Sequence, residues 1–311
     1  MTIVNTVLGP KDSSELGFTL SHEHILLSSA GIQDTFPEFI PREFAIEEGI
    51  RQLAEAKAEG VDTVIDLSTM DLGRDVRVIE AVAKGSGVNV VVATGTWRDV
   101  PRSFAEADPE EIAPLYIREI EVGIQETGIK AGVIKVANEP EVSAAGEIIL
   151  RAAAKAGMAT RTPIYTHTLA TNRIGDSQVE IFEDEGVDLN RVCIGHSNDS
   201  ADMGYLTGLL DKGAWLGLDR YPGREVSWQE RTEVLWKLIQ AGYGKRLMLS
   251  HDWSVASTMM SKERLAARPL TNPDNYLFIT RNVLPMLLEL GASQSHIDDL
   301  MINNPRGFWE S

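Results

Sequence analysis

The chain has 311 residues, 43% of them hydrophobic, enough for two modest domains or one large α/β barrel. Its net charge of −17 argues against nucleic acid and anionic membrane surfaces as partners and suits an enzyme acting on small neutral substrates. One cysteine, Cys193, allows no intrachain disulfide. With no basic, apolar leader and no apolar run of about 20 residues, a cytoplasmic, non-membrane protein is expected.

The first strong element is 18–25, Phe-Thr-Leu-Ser-His-Glu-His-Ile. Side chains at i and i+2 leave the same face of a strand, so His22 and His24 aim into one space. A Pro- and Gly-punctuated loop over 28–43 follows, then a helical stripe over 44–59 closed by Gly60. The pattern then repeats. Strands are expected over 63–69, 89–97, 131–137, 163–168, 191–197, 214–220 and 246–252. Helices are expected over 74–84, 109–127, 142–156, 176–185, 202–212 and 228–241, with Pro109 starting the third. A loop of about twenty residues precedes a helix over 275–290, and the tail from 298 reads as a capping helix.

Buried parallel strands read as continuous apolar runs, and eight of them alternating with helices point to a single-domain (β/α)8 TIM barrel over 1–311. A doubly wound open sheet is the alternative.

Of six histidines, His22, His24, His167 and His196 fall near the carboxyl ends of strands one, five and six, and Asp252 ends strand eight. That rim is where barrel enzymes gather catalytic groups, and these donor types suit a divalent metal. Lys135 stands inside Gly-Val-Ile-Lys-Val-Ala, where a buried ammonium is costly. Either it pairs with a neighbour such as Glu139, or it is neutral and carboxylated by carbon dioxide, giving a two-armed anionic ligand. In the second case His22, His24, Asp252 and one carbamate oxygen serve one metal, and His167, His196 and the other oxygen serve a second. A water shared by two cations becomes hydroxide near neutral pH. Asp252 could receive its proton as it attacks. No Gly-x-Ser-x-Gly competes, and Cys193 sits mid-strand. His251 faces away from the metals and His296 lies in a polar segment. Glu23 and Asp66 either support the ligands or are ordinary hydrogen-bonded carboxylates.

The motifs Ser-His-Glu-His, Val-Ile-Lys-Val-Ala, Tyr-Thr-His-Thr, Cys-Ile-Gly-His-Ser, Gly-Leu-Asp-Arg-Tyr and Ser-His-Asp-Trp, in this order and almost end to end, resemble the phosphotriesterase family. That is a branch of the amidohydrolase superfamily holding phosphotriesterase-like lactonases and organophosphate hydrolases. The resemblance implies a binuclear divalent centre, N6-carboxylysine at Lys135 and a homodimer. Zinc is the first expectation for the metals, with cobalt, manganese or iron as alternatives. Segments around 28–31, 37–39, 66–74 and 191–197 look like organophosphate-degrading members, whereas Gly-Leu-Asp-Arg-Tyr is similar to the lactonase branch. Arg220 stands where organophosphate hydrolases have a proton-relaying histidine, so the relay would read Asp252, Arg220, Asp199. The loop over 221–226 is short, which leaves an open groove. Trp97 matches an aromatic that lines the substrate pocket, or else packs at the rim, and Trp253 is comparable. Arg220, Tyr221, Trp97 and Trp253 are therefore the expected substrate-binding residues. The expected activity is opening of N-acyl homoserine or aliphatic lactones with promiscuous phosphotriester hydrolysis. The alternatives are a dedicated aryldialkylphosphatase and a non-catalytic metal-binding barrel.

Overall fold

The structure is a computed structural model that describes residues 2–39, 42–223 and 225–311, the side chain of Lys262 aside. Ile40, Pro41 and Arg224, within the loops expected over 28–43 and 221–226, lie outside the described residues.

An antiparallel hairpin, β1 (Ile3–Thr6) and β2 (Gly9–Asp12), precedes the barrel. The barrel strands are β3 (Thr19–Leu27), β4 (Thr63–Asp66), β5 (Asn89–Thr96), β6 (Val133–Asn138), β7 (Ile164–Thr168), β8 (Val192–Ile194), β9 (Trp215–Leu218) and β10 (Leu247–Leu249), continued by β11 (Ser254–Ser257). Each pairs in parallel with its sequence neighbour, and β11 pairs with β3, so the eighth strand closes the ring in two pieces. Across the gap, the Asp252 amide donates to the His22 carbonyl at 3.1 Å and the His24 amide to the Trp253 carbonyl at 2.7 Å. The arrangement is that of a (β/α)8 TIM barrel.

Helices α1 (Ile32–Thr35), α2 (Arg42–Ala58), α3 (Val76–Ser86), α4 (Pro109–Glu121), α5 (Ala144–Thr160), α6 (Ile174–Asp184), α7 (Met203–Asp211) and α8 (Trp228–Leu238) fill the connections. Their starts follow local chemistry. Asp108 and Glu111 form a capping box with Pro109 in the first turn of α4, and Ser143 and Ser227 cap α5 and α8. Helix α4 ends at Glu121, short of the expected Thr127, because Gly123, Gln125, Glu126 and Gly128 all take positive φ.

The loop expected after strand eight is also different. It holds β11 and a helix, α9 (Lys262–Thr271), before α10 (Leu284–Glu289), α11 (Gln294–Asp298) and α12 (Asn304–Glu310). Ser-Val-Ala-Ser is no continuous apolar run, and α9 buries no apolar stripe.

The core lies in two shells. Aliphatic side chains fill the space between strands and helices, while Ile65, Val91, Val133, Cys193, Met248 and Phe308 pack inside the barrel below the rim. Gly95, at φ +110°, lets β5 approach the Lys135 carbonyl where a Cβ would collide with it. No helix among the described residues is long and apolar enough to cross a membrane.

Candidate metal centre

The sequence-predicted donors do converge. His22 and His24 leave β3, Lys135 leaves the middle of β6, His167 leaves β7, and His196 and Asp252 stand just beyond β8 and β10. All four histidines and Lys135 are buried, and Asp252 keeps a quarter of its side chain exposed toward the rim. Donor atoms of His22, His196 and Asp252 lie within 4.8 Å of one another.

Each imidazole is held at its outer nitrogen by an oxygen. Asp219 Oδ2 accepts from His22 Nδ1 at 2.8 Å, and Asp219 Oδ1 accepts from His196 Nδ1 at 2.8 Å. Ser68 Oγ is hydrogen-bonded to His24 Nδ1 at 2.9 Å and lies 3.4 Å from the Leu26 carbonyl. His167 is reversed: Glu139 Oε2 accepts from its Nε2 at 2.8 Å, while its Nδ1 accepts from Trp97 Nε1 at 3.2 Å. The carboxylate bonds fix the tautomers of His22, His196 and His167, so their inward nitrogens carry lone pairs.

The inward contacts suit a cation placed among them. His196 Nε2 and His167 Nδ1, both without protons, face each other at 2.8 Å. His24 Nε2 lies 3.2 Å from Asp252 Oδ1. Protonating the rings would relieve this, but burial and the Lys135 charge push His22 down to about 3. Burial likewise holds His167 well below its ordinary value and lowers His196. Burial also opposes ionisation of Asp252, yet the surrounding imidazoles and Arg220 keep its carboxyl well below the usual range. Neutral imidazoles and a charged carboxylate are the protonation states that a divalent metal requires.

Lys135 is not paired with Glu139. Its Nζ lies 3.3 Å from the Thr166 carbonyl, 3.5 Å from His22 Nε2 and 5.1 Å over the Tyr165 ring, with no carboxylate in ion-pair range among the described residues. Burial pulls its pKa down to about 8. Glu139 instead binds His167 and Arg98. An amine poised to lose its proton beside histidine lone pairs fits carboxylation better than a structural salt bridge.

The expected order Asp252, Arg220, Asp199 appears as contacts. Arg220 Nε donates to Asp252 Oδ2 at 3.0 Å and Nη1 to Asp199 Oδ2 at 2.7 Å. Buried Arg231 holds the other Asp199 oxygen at 2.7 Å and the Asn198 and Val226 carbonyls.

Among the expected substrate contacts, Trp97 stands at the rim against His167, its ring centroid 5.5 Å away. Tyr221 and Trp253 are placed differently. Tyr221 is 1% exposed and packs in the core. Trp253 donates Nε1 to Gln52 at 2.9 Å under the Arg268 guanidinium. Asp66 is structural, accepting the Ile25 and Ser68 amides where the pairing of β3 with β4 slips register.

Sequence reasoning missed Asp219 and Ser68, and weighed Glu139 only as a partner for Lys135 where the structure sets it against His167. A signal existed for Asp219: Gly217 and Asp219 share a strand face, and a Cβ at Gly217 would collide with the Tyr165 hydroxyl that donates to Asp219 at 2.8 Å.

Fold and site together define a (β/α)8 barrel with a histidine-rich centre at its catalytic rim. A model of the phosphotriesterase family matches residues 2–309, and the chain belongs to that family. It is 39% identical to the phosphotriesterase homology protein of Mycobacterium tuberculosis, covering all of this chain and 98% of that one. It is 35% identical to an aryldialkylphosphatase of Saccharolobus solfataricus, over 96% of each. The solved structure of the phosphotriesterase from Mycobacterium tuberculosis superposes with a TM-score of 0.93 at 37% identity, over 99% of this chain and 98% of that one. Family and relatives' names point to a hydrolase.

Proposed function

We propose that this chain is a binuclear metal-dependent lactonase with side activity on aryl phosphotriesters. His22, His24 and Asp252 would hold one divalent ion and His167 and His196 the other, with a carboxylated Lys135 between them. When bound, two such ions supply an activated water and polarise the substrate oxygen. Zinc is the first choice for nitrogen and oxygen donors, with cobalt, manganese and iron behind it. A homodimer belongs to the same proposal, and sedimentation would read it.

The observation that favours lactones is the Arg220 contact to Asp252. Asp252 takes the proton released as the carbonyl is attacked. Arginine does not titrate near neutral pH, so Arg220 cannot pass that proton outward to Asp199. The proton stays on Asp252 and is available to the leaving group. An alkoxide, as in ring opening, needs it; an aryloxide does not. Arg220 at the same time holds the carboxylate in line, and Trp97 lines the mouth beside His167.

The second reading, a dedicated aryldialkylphosphatase, draws on the aryldialkylphosphatase among the relatives. Measuring kcat/KM on one metal-loaded preparation with a lactone panel and an aryl phosphotriester series separates the two. Higher values for lactones support the proposal, and turnover of aryl phosphotriesters alone refutes it.

A further inference from the structure

Glu23 sits between the paired histidines on β3, so it points out of the barrel while they point in. There it is completely buried with no cation against it among the described residues, and its carboxylate collects four donors. Oε1 accepts from Ser250 Oγ at 2.7 Å, the His251 amide at 3.0 Å and His251 Nδ1 at 2.6 Å; Oε2 accepts from the Trp253 amide at 2.8 Å. His251 is fixed in turn, because its Nε2 accepts from the Ile279 amide at 3.1 Å.

The four donors flank a single residue, Asp252. The eighth strand is broken there, between β10 and β11, and Asp252 takes φ +54°, a left-handed conformation uncommon for non-glycine residues, though aspartate tolerates it better than most. Glu23 grips the backbone amides immediately before and after it. The Asp252 amide itself bonds the His22 carbonyl at 3.1 Å. Three consecutive residues of β3 therefore set the turn: His22 and His24 through backbone bonds and Glu23 through its side chain.

We infer that Glu23 is a positioning residue for Asp252, a side-chain staple that holds the broken eighth strand in the left-handed turn from which Asp252 reaches His22, His24 and Arg220. The motif His-Glu-His thus does two jobs. Its histidines offer donors inside the barrel, and its glutamate orders from outside the donor that comes from the far end of the chain.

The inference rests on reading Asp252 as a metal ligand, and cobalt(II) bound to the full-length protein tests both separately. In Glu23→Gln, one of the accepting oxygens becomes an amide donor facing either the Trp253 amide or the Ser250 and His251 donors, and the turn loosens. Cobalt retention against a chelator should fall about tenfold or more, and the visible cobalt band should shift. With a hydrolysed substrate, kcat should fall about tenfold while KM stays within about threefold. In the double variant Glu23→Gln/Asp252→Asn, the glutamate change should add little to the loss from Asp252→Asn alone, since both act through one carboxylate. If Glu23→Gln does not fold, Ser250→Ala removes one donor and should move the cobalt band in the same direction. An unshifted band with wild-type retention, or full additivity in the double variant, overturns the staple. Wild-type protein that binds no cobalt overturns the metal-ligand reading instead.

Discussion

Asp219 holds His196 at two points: its Oδ1 accepts both the backbone N–H and the Nδ1–H of that residue, each at 2.8 Å. Its other oxygen takes His22 Nδ1 and the Tyr165 hydroxyl, so one carboxylate orients a donor for each proposed metal. Burial opposes its charge, but the two imidazoles hold its carboxyl well below the ordinary range.

Asp219→Asn should therefore disturb both rings while leaving every proposed ligand in place. The amide offers one acceptor oxygen where two are used, and its NH2 group faces a ring N–H. Metal content after dialysis against a chelator should fall 10- to 100-fold relative to wild type. Wild-type metal retention in this variant would contradict the tautomer-setting role.

Carboxylation of Lys135 needs the neutral amine. With burial placing its pKa at about 8, about one-tenth is neutral at pH 7 and about nine-tenths at pH 9. With dissolved carbon dioxide held constant, the rate at which metal-free protein takes up metal should rise across that interval and level off above it. A flat profile, or wild-type metal uptake by Lys135→Met, would count against the carboxylated lysine.

Acid should destabilise the metal-free protein early. Below pH 6.5 the unfolded chain protonates its histidines, whereas His22 stays neutral in the fold down to about 3, with His167 and His196 shifted the same way. The unfolded state binds more protons, so stability falls as pH drops from 6.5 toward 3. Bound metal should steepen the fall, because protons compete with it for the same nitrogens. Chemical denaturation at successive pH values reads both slopes.

Arg220→Ala should separate substrates by leaving group. Asp252 would lose the contact that keeps its carboxylate in line and its proton in place. Lactone kcat should fall more than tenfold, and turnover of aryl phosphotriesters by less, since an aryloxide departs unprotonated. Equal losses for both classes would leave Arg220 with a structural role only.

The barrel was legible because parallel strands buried on both faces are short apolar runs, and eight of them lie evenly along the chain. Pro109 marked a helix start for a local reason, a preset φ beside a capping box. Helix α9 and strand β11 were not legible, since one has no buried face and the other, Ser-Val-Ala-Ser, is no continuous apolar run. At the site, donor types and rim positions brought together His22, His24, Lys135, His167, His196 and Asp252. The oxygens that turn those donors inward were hidden. Ser68, Glu139 and Asp219 act through bonds across strands, and sequence spacing encodes no such partner. The same holds for Glu23, whose partners lie more than two hundred residues away. Trp253 and Tyr221 read as pocket aromatics in the sequence, and the packing contacts that bury both could not be read from it.

The most direct test of the account is hydrolysis by the metal-loaded protein of a lactone panel and an aryl phosphotriester series, before and after chelation. Higher kcat/KM for lactones is expected, with loss of both activities on metal removal and their joint return on reloading. Turnover confined to aryl phosphotriesters, or any turnover that survives complete metal removal, would contradict it.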